Sequence, residues 1–178
     1  MEKMSLERVV LTEDQITDMV QRVAAEINAA TSDDDTVFVG IMKGAYIWMA
    51  DLMRAMNRNV ELDYIDVSSY SGASSTGVVT IERDLKIDIT NKTVVVLDEV
   101  VDTGLTLSFI KQEFIKRGAK RVLLAVATDK RTTVGPDDIQ IDFTGAQVPD
   151  EFLVGYGMDY NNNYRNLSHV AVLKLEQD

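Results

Sequence analysis

Residues 94–107, Val-Val-Val-Leu-Asp-Glu-Val-Val-Asp-Thr-Gly-Leu-Thr-Leu, constrain the fold more than any other part of this chain. Four apolar residues run straight into two adjacent carboxylates, Asp98 and Glu99, and a third, Asp102, follows. Thr103, Gly104 and Thr106 then make a small hydroxyl-and-glycine turn. The apolar run reads as a buried parallel strand, because strands covered by helices on both faces lose the in-and-out alternation. The acids read as the end of that strand, and Thr103–Thr106 as the opening of a helix. Ligands in open α/β sheets bind at this end of a strand, and anions settle on a helix N-terminus. The segment therefore predicts a site for a sugar phosphate and a metal; an ordinary helix cap is the plainer alternative.

At 178 residues, with 46% hydrophobic residues, the chain is long enough for one domain, 1–178, with a sizeable core. Its apolar runs are too short to span a bilayer. Met1–Ser5 lacks the apolar core of a signal peptide, and there is no cysteine for a disulfide, a thiol nucleophile or a thiolate metal site. These features point to the cytoplasm and away from a membrane. The net charge of −11 should repel nucleic acid. An anionic ligand therefore needs local cations, and Lys43, Lys130, Arg131 and Arg165 stand beside expected turns.

Strands and helices alternate along the chain, the pattern of an α/β fold with a mainly parallel central sheet flanked by helices. Thr12-Glu13-Asp14-Gln15 is a capping box, and Ile16, Met19, Val20, Val23, Ala24 and Ile27 recur at helical spacing, which predicts a helix over 13–30. Residues 36–41 read as a strand, 42–44 as a turn, 45–56 as a helix and 60–67 as a strand. The small-residue stretch 68–77 around Tyr70 reads as a mobile loop, with a short strand at 78–83. A strand at 92–97, a helix at 105–117 closed by Gly118, and a strand at 121–128 follow. Shorter strands are expected at 142–145, 153–155 and 170–175.

Leu97–Leu107 resembles the phosphoribosyl diphosphate (PRPP) signature of type I phosphoribosyltransferases. Met42-Lys43-Gly44, Val67-Ser68-Ser69-Tyr70, Val154–Tyr160 and Tyr164-Arg165-Asn166-Leu167 resemble motifs of that family's hypoxanthine-guanine branch, in the same order and over nearly the full length. The resemblance implies a hood built from the chain termini and a lid loop over the reacting centre. It implies an enzyme of purine salvage that moves the 5-phosphoribosyl group of PRPP to N9 of hypoxanthine or guanine, with Mg²⁺, giving IMP or GMP and pyrophosphate. Homodimers or homotetramers are common in the family.

The resemblance also implies roles. Asp102 matches the residue placed near purine N7 as general base, and Thr103, Gly104, Leu105 and Thr106 match the cradle of the 5′-phosphate. Asp98 and Glu99 match the acids that hold the ribose hydroxyls, directly or through Mg²⁺, and Asp159 a contributor to a second Mg²⁺. Lys43, Gly44 and Arg165 match the pyrophosphate contacts, and Ser69 and Tyr70 the lid. Lys130 matches the lysine that donates to purine O6, a contact adenine cannot accept; Phe152 matches the stacking aromatic, and Leu153 the backbone that reads the base edge. One departure is plain. The branch usually places Glu before Asp, whereas this chain reads Asp98-Glu99, so each carboxylate's reach changes by one methylene.

Taken residue by residue, most of these positions have duller readings. A lysine after a strand is usually solvated, an aromatic at a strand start is usually core, and 68–77 alone would be a surface linker. His169 lies in no motif and reads as structural or surface; Trp48, with Ala45, Met49 and Leu52, reads as core or subunit interface. Competing functions are a transferase that accepts xanthine, a nucleotide-sensing regulator on the same fold, and a receiver-type signalling module. The charge and Asp102 argue against the regulator, and the mid-chain position of the acids argues against the receiver.

Overall fold

Thr12 starts the first helix: its Oγ1 accepts from the Gln15 N–H at 3.3 Å, and the Gln15 side chain accepts from the Thr12 N–H at 2.9 Å. These two bonds satisfy donors that a helix start otherwise leaves open. The computed structural model describes residues 3–70, 78–134 and 138–176. Its elements run β1 (Lys3–Leu11), α1 (Glu13–Ala30), β2 (Thr36–Met42), α2 (Tyr46–Ala55), β3 (Glu61–Tyr70) and β4 (Val78–Arg83). They continue as β5 (Thr93–Val101), α3 (Leu105–Lys116), β6 (Arg121–Asp129), β7 (Phe143–Gln147), β8 (Leu153–Val154) and β9 (Val170–Glu176).

Six strands form the main sheet in the order β4-β3-β2-β5-β6-β7. All neighbours are parallel except β3 and β4, a hairpin at one edge. A second, antiparallel sheet has the order β1-β9-β8 and joins the two ends of the chain. This is the hood. The core divides as period-two strands between helical layers require. Phe38, Val95 and Leu97 pack with Val23, Ile27, Trp48 and Leu52 of α1 and α2. Val37, Val39, Val94 and Val96 pack with Leu107, Ile110 and Phe114 of α3. Trp48 is fully buried, so it belongs to the core.

Two expectations are corrected, and one strand is added. β5 does not end before its acids: it runs on through Asp98 and Glu99 to Val101, because β6 continues beside it and pairs Asp98 with Val126 and Val101 with Asp129. Residues 68–70 are strand rather than loop, since Ser68, Ser69 and Tyr70 pair with Thr80, Val79 and Val78; the remainder of the expected loop lies outside the described residues. The hood from the chain termini was expected, but no strand was placed at its N-terminal part, where β1 lies. Its alternation is broken by the adjacent charges Glu7 and Arg8 and the apolar run Val9-Val10-Leu11, its pairing has two register shifts, and its partner β9 lies at the far end of the chain.

Candidate active site

The functional stretches meet along one edge of the main sheet. β5 delivers Asp98 and Glu99, and the turn after it delivers Asp102, Thr103 and Gly104. Gly104 occupies the N-cap of α3 with φ 78°, a left-handed conformation that costs glycine little, and offers no side chain to cap the first turn. The helix therefore starts at Leu105, with Thr106 in its first turn. The Leu105 N–H reaches Thr103 Oγ1 only at 3.4 Å. Open backbone donors at a helix start favour an anion.

The Glu99 N–H donates to Asp98 Oδ1 at 3.0 Å. Burial, and then the adjoining Glu99 carboxyl through charge and hydrogen bonding, push the Asp98 carboxyl well above its ordinary value. Acids this close resist ionising together unless a cation joins them.

On the other side of Glu99 lies the turn Met42-Lys43-Gly44 between β2 and α2, whose Met42–Lys43 peptide bond is cis. Lys43 is exposed and Gly44 buried. A Cβ on Gly44 would fall on the Glu99 carboxylate, and a Cβ on Gly157 would fall on the Gly44 carbonyl oxygen. Glycine at both positions lets three remote stretches of chain come into contact. Gly155, Tyr156 and Gly157 hold φ of 96°, 49° and 101°, an unbroken left-handed turn. The Tyr156 hydroxyl donates to Asp51 Oδ2 of α2 at 3.0 Å, which ties this turn to the helix behind Gly44.

Beyond that turn, Arg165 donates to the Gly157 carbonyl at 2.6 Å and pairs with Asp159 at 2.6 Å. Among the described residues no three carboxylate or imidazole groups converge as a metal cluster, though Asp159 and Glu99 line one cavity. That donor set suits Mg²⁺, which is held through one or two carboxylates plus substrate phosphates and water.

A cavity of about 200 Å³ is lined by Glu99, Val100, Asp102, Lys130, Phe152, Leu153, Met158 and Asp159. Lys130 Nζ lies 3.2 Å from Asp150 and 3.7 Å from Asp102. Phe152 is 50% exposed and meets Tyr160 edge-on at 5.6 Å, so this aromatic is not core. Leu153 opens β8, within the hood sheet. Ser69 and Tyr70 end β3, which lies between β2 and the edge strand β4. The sequence reading missed Asp150, the shorter of the two Lys130 contacts; its signal was a carboxylate two residues before Phe152. It also missed the Tyr156–Asp51 bond. His169 gives its carbonyl to the packing around Gly155, in keeping with a structural part.

A parallel sheet with acids at the end of a central strand, an uncapped helix start after them and a small sheet over the base-sized cavity define the type I phosphoribosyltransferase class. Residues 10–161 match the phosphoribosyl transferase domain family, and the chain belongs to that family, in its hypoxanthine-guanine branch. It is 37% identical over 175 residues to the hypoxanthine-guanine phosphoribosyltransferase of Bacillus subtilis (strain 168), covering 98% of this chain and 97% of the relative. It resembles the crystal structure of a hypoxanthine phosphoribosyltransferase from Staphylococcus aureus with a TM-score of 0.89 and 36% identity, over 95% of this chain and 92% of that one. A solved hypoxanthine-guanine-xanthine phosphoribosyltransferase superposes with a TM-score of 0.85 at 31% identity, over 95% and 98%.

Proposed function

We propose that this purine salvage enzyme transfers the 5-phosphoribosyl group of PRPP to N9 of hypoxanthine or guanine, releasing pyrophosphate and forming IMP or GMP. The convergence of Asp102, Lys130, Phe152 and Asp159 on one cavity beside the open N-terminus of α3 carries this reading. The backbone of Thr103–Thr106 would take the 5′-phosphate. Asp98 and Glu99 would hold the ribose hydroxyls. Lys43, the backbone at Gly44 and Arg165 would take the pyrophosphate, where a planar guanidinium suits paired oxygens. Phe152 would stack on the purine, the Leu153 backbone would read its edge, and Lys130 would donate to O6. Asp102 would take the proton the base must lose as C1′ bonds to N9. Ser69 and Tyr70 would belong to a lid that excludes water from the cation-like ribose.

Asp98, Glu99 and Asp159 supply the hard oxygens that Mg²⁺ prefers, and such an ion would neutralise pyrophosphate as it leaves. The chain would work as a single domain in the cytoplasm. No helix among the described residues is long and apolar enough to cross a membrane. We extend the reading to a homodimer or homotetramer. Tyr46, Leu62 and Tyr64 are 64%, 50% and 40% exposed around a groove of about 780 Å³ between α2 and β3, an apolar surface suited to a second copy.

Purified protein incubated with PRPP, Mg²⁺ and one base at a time tests the proposal. Hypoxanthine and guanine should yield nucleotide, and adenine should not. Product from xanthine would widen the substrate class. Nucleotide from none of the four bases would overturn the enzymatic reading and favour a nucleotide-binding regulator.

A further inference from the structure

Lys130 sits between two residues that close on each other. Arg131 Nε and Nη2 donate to the two carboxylate oxygens of Asp129 at 3.0 and 2.8 Å, and the Arg131 backbone N–H donates to Asp129 Oδ1 at 2.9 Å. The pair is deeply placed: Asp129 is 2% exposed and the Arg131 side chain 9%. Burial acts to raise the Asp129 carboxyl, but the hydrogen bonds and charge of Arg131 outweigh it and hold the group below its ordinary range. Arg131 Nη1 also donates to the Ile139 carbonyl at 2.8 Å, so the same guanidinium pins the chain that returns toward β7.

The geometry has a consequence for the residue in between. Asp129 ends β6 with its carbonyl accepting from the Val148 N–H at 2.9 Å, and the Lys130 N–H donates to the Val101 carbonyl at 3.0 Å. Both ends of the turn are thereby fixed, on β5 and on the segment after β7. With the side chains at 129 and 131 locked together, the Lys130 stem takes a separate course, and its Nζ reaches Asp102 and Asp150 at the base cavity. A buried ion pair is a poor source of stability, because desolvation offsets most of its attraction. Holding a geometry is the better-supported use of such a pair.

We infer that Asp129 and Arg131 are positioning residues for purine recognition, a buried bidentate pair that aims Lys130 at the 6-oxo group of the base. The inference rests on the reading of Lys130 as the O6 donor. Arg131→Lys keeps the charge but loses the planar fork, and Asp129→Asn keeps the shape but loses the charge.

The test is a double-mutant cycle with Lys130→Ala, reading KM for hypoxanthine, KM for PRPP and melting temperature. Arg131→Lys and Asp129→Asn are each expected to raise KM for hypoxanthine about tenfold and to leave KM for PRPP within about twofold. Lys130→Ala should raise the hypoxanthine KM at least as much, and Arg131→Lys should add nothing in that background. An unchanged hypoxanthine KM in Lys130→Ala would remove the reading of Lys130, and the inference with it. A raised KM in Lys130→Ala but not in the pair variants would overturn the inference while leaving Lys130 in place. A rise in both KM values that persists without Lys130 would show general loosening and would equally overturn it. If one pair variant fails to fold, the other completes the cycle.

Discussion

Gly44→Ala separates the placement of one carboxylate from the stability of the fold. A Cβ at position 44 lands on the Glu99 carboxylate, well inside the 3.0 Å that real Cβ atoms respect. The obstructed group is the end of a flexible side chain, so the backbone can stay while the carboxylate retreats by about 1 Å. Forcing Glu99 off its rotamer costs about 0.5–1.5 kcal/mol, which in a chain of this size lowers Tm by roughly 2–5 °C. The functional cost is larger. A displacement of about 1 Å at a reacting centre costs on the order of 100-fold in rate, or about 2.7 kcal/mol of transition-state stabilisation. The assay is steady-state kcat/KM for PRPP with saturating hypoxanthine across a Mg²⁺ titration, beside a thermal melt. The unusual order Asp98-Glu99 supplies the control, since Glu99→Asp withdraws the carboxylate by one methylene and clears space for the new methyl. In the Glu99→Asp background, Gly44→Ala should cost less than about threefold. The reasoning is refuted if Gly44→Ala alone stays within about threefold of wild type, or if its penalty is undiminished beside Glu99→Asp.

Asp102→Asn should lower kcat by about 10²–10⁴-fold, with PRPP affinity in a direct binding titration close to wild type; near-normal turnover would remove the general-base assignment. Tyr156→Phe deletes the 3.0 Å hydrogen bond to Asp51 from a side chain 2% exposed, and urea unfolding should show a loss of about 1.5–3 kcal/mol. An unchanged midpoint would mean that the left-handed turn 155–157 holds without it. Asp34 accepts from Lys120, Arg121 and Thr93, and these partners hold its carboxyl below its usual value. A folded-state value below the unfolded one stabilises above the unfolded carboxylate range, and that contribution disappears as pH falls through the folded value. Asp34→Asn should therefore melt lower than wild type at neutral pH and converge with it in acid; parallel melting curves at all pH values would refute the assignment.

Local chemistry made α1 readable: the capping box marks Thr12, and the apolar spacing carries the helix to Ala30. The order of the site motifs was readable for the same reason, since each is a short stretch whose composition states its chemistry. Contacts between remote stretches were not. Nothing near residue 99 reveals that Glu99 will pack on Gly44, which depends on the register of β2 beside β5, or that Gly157 will pack on the same turn, which depends on where the chain after β8 returns. The continuation of β5 through its acids was hidden likewise, since it depends on a neighbouring strand that is longer than the apolar run. Asp129–Arg131 sat in plain view as two opposite charges around Lys130, but their burial, which makes them act as a unit, is a property of the assembled turn.

The hood depends on β9 alone among its strands, for β1 and β8 each pair with it and not with each other. Leu173 also anchors Phe152, donating its N–H to the Phe152 carbonyl at 2.9 Å. A ribosome makes the strands β2 to β6, residues 36–129, well before it makes residues 170–176. Until those residues have emerged, the sheet that carries Leu153 lacks the strand that joins its other two.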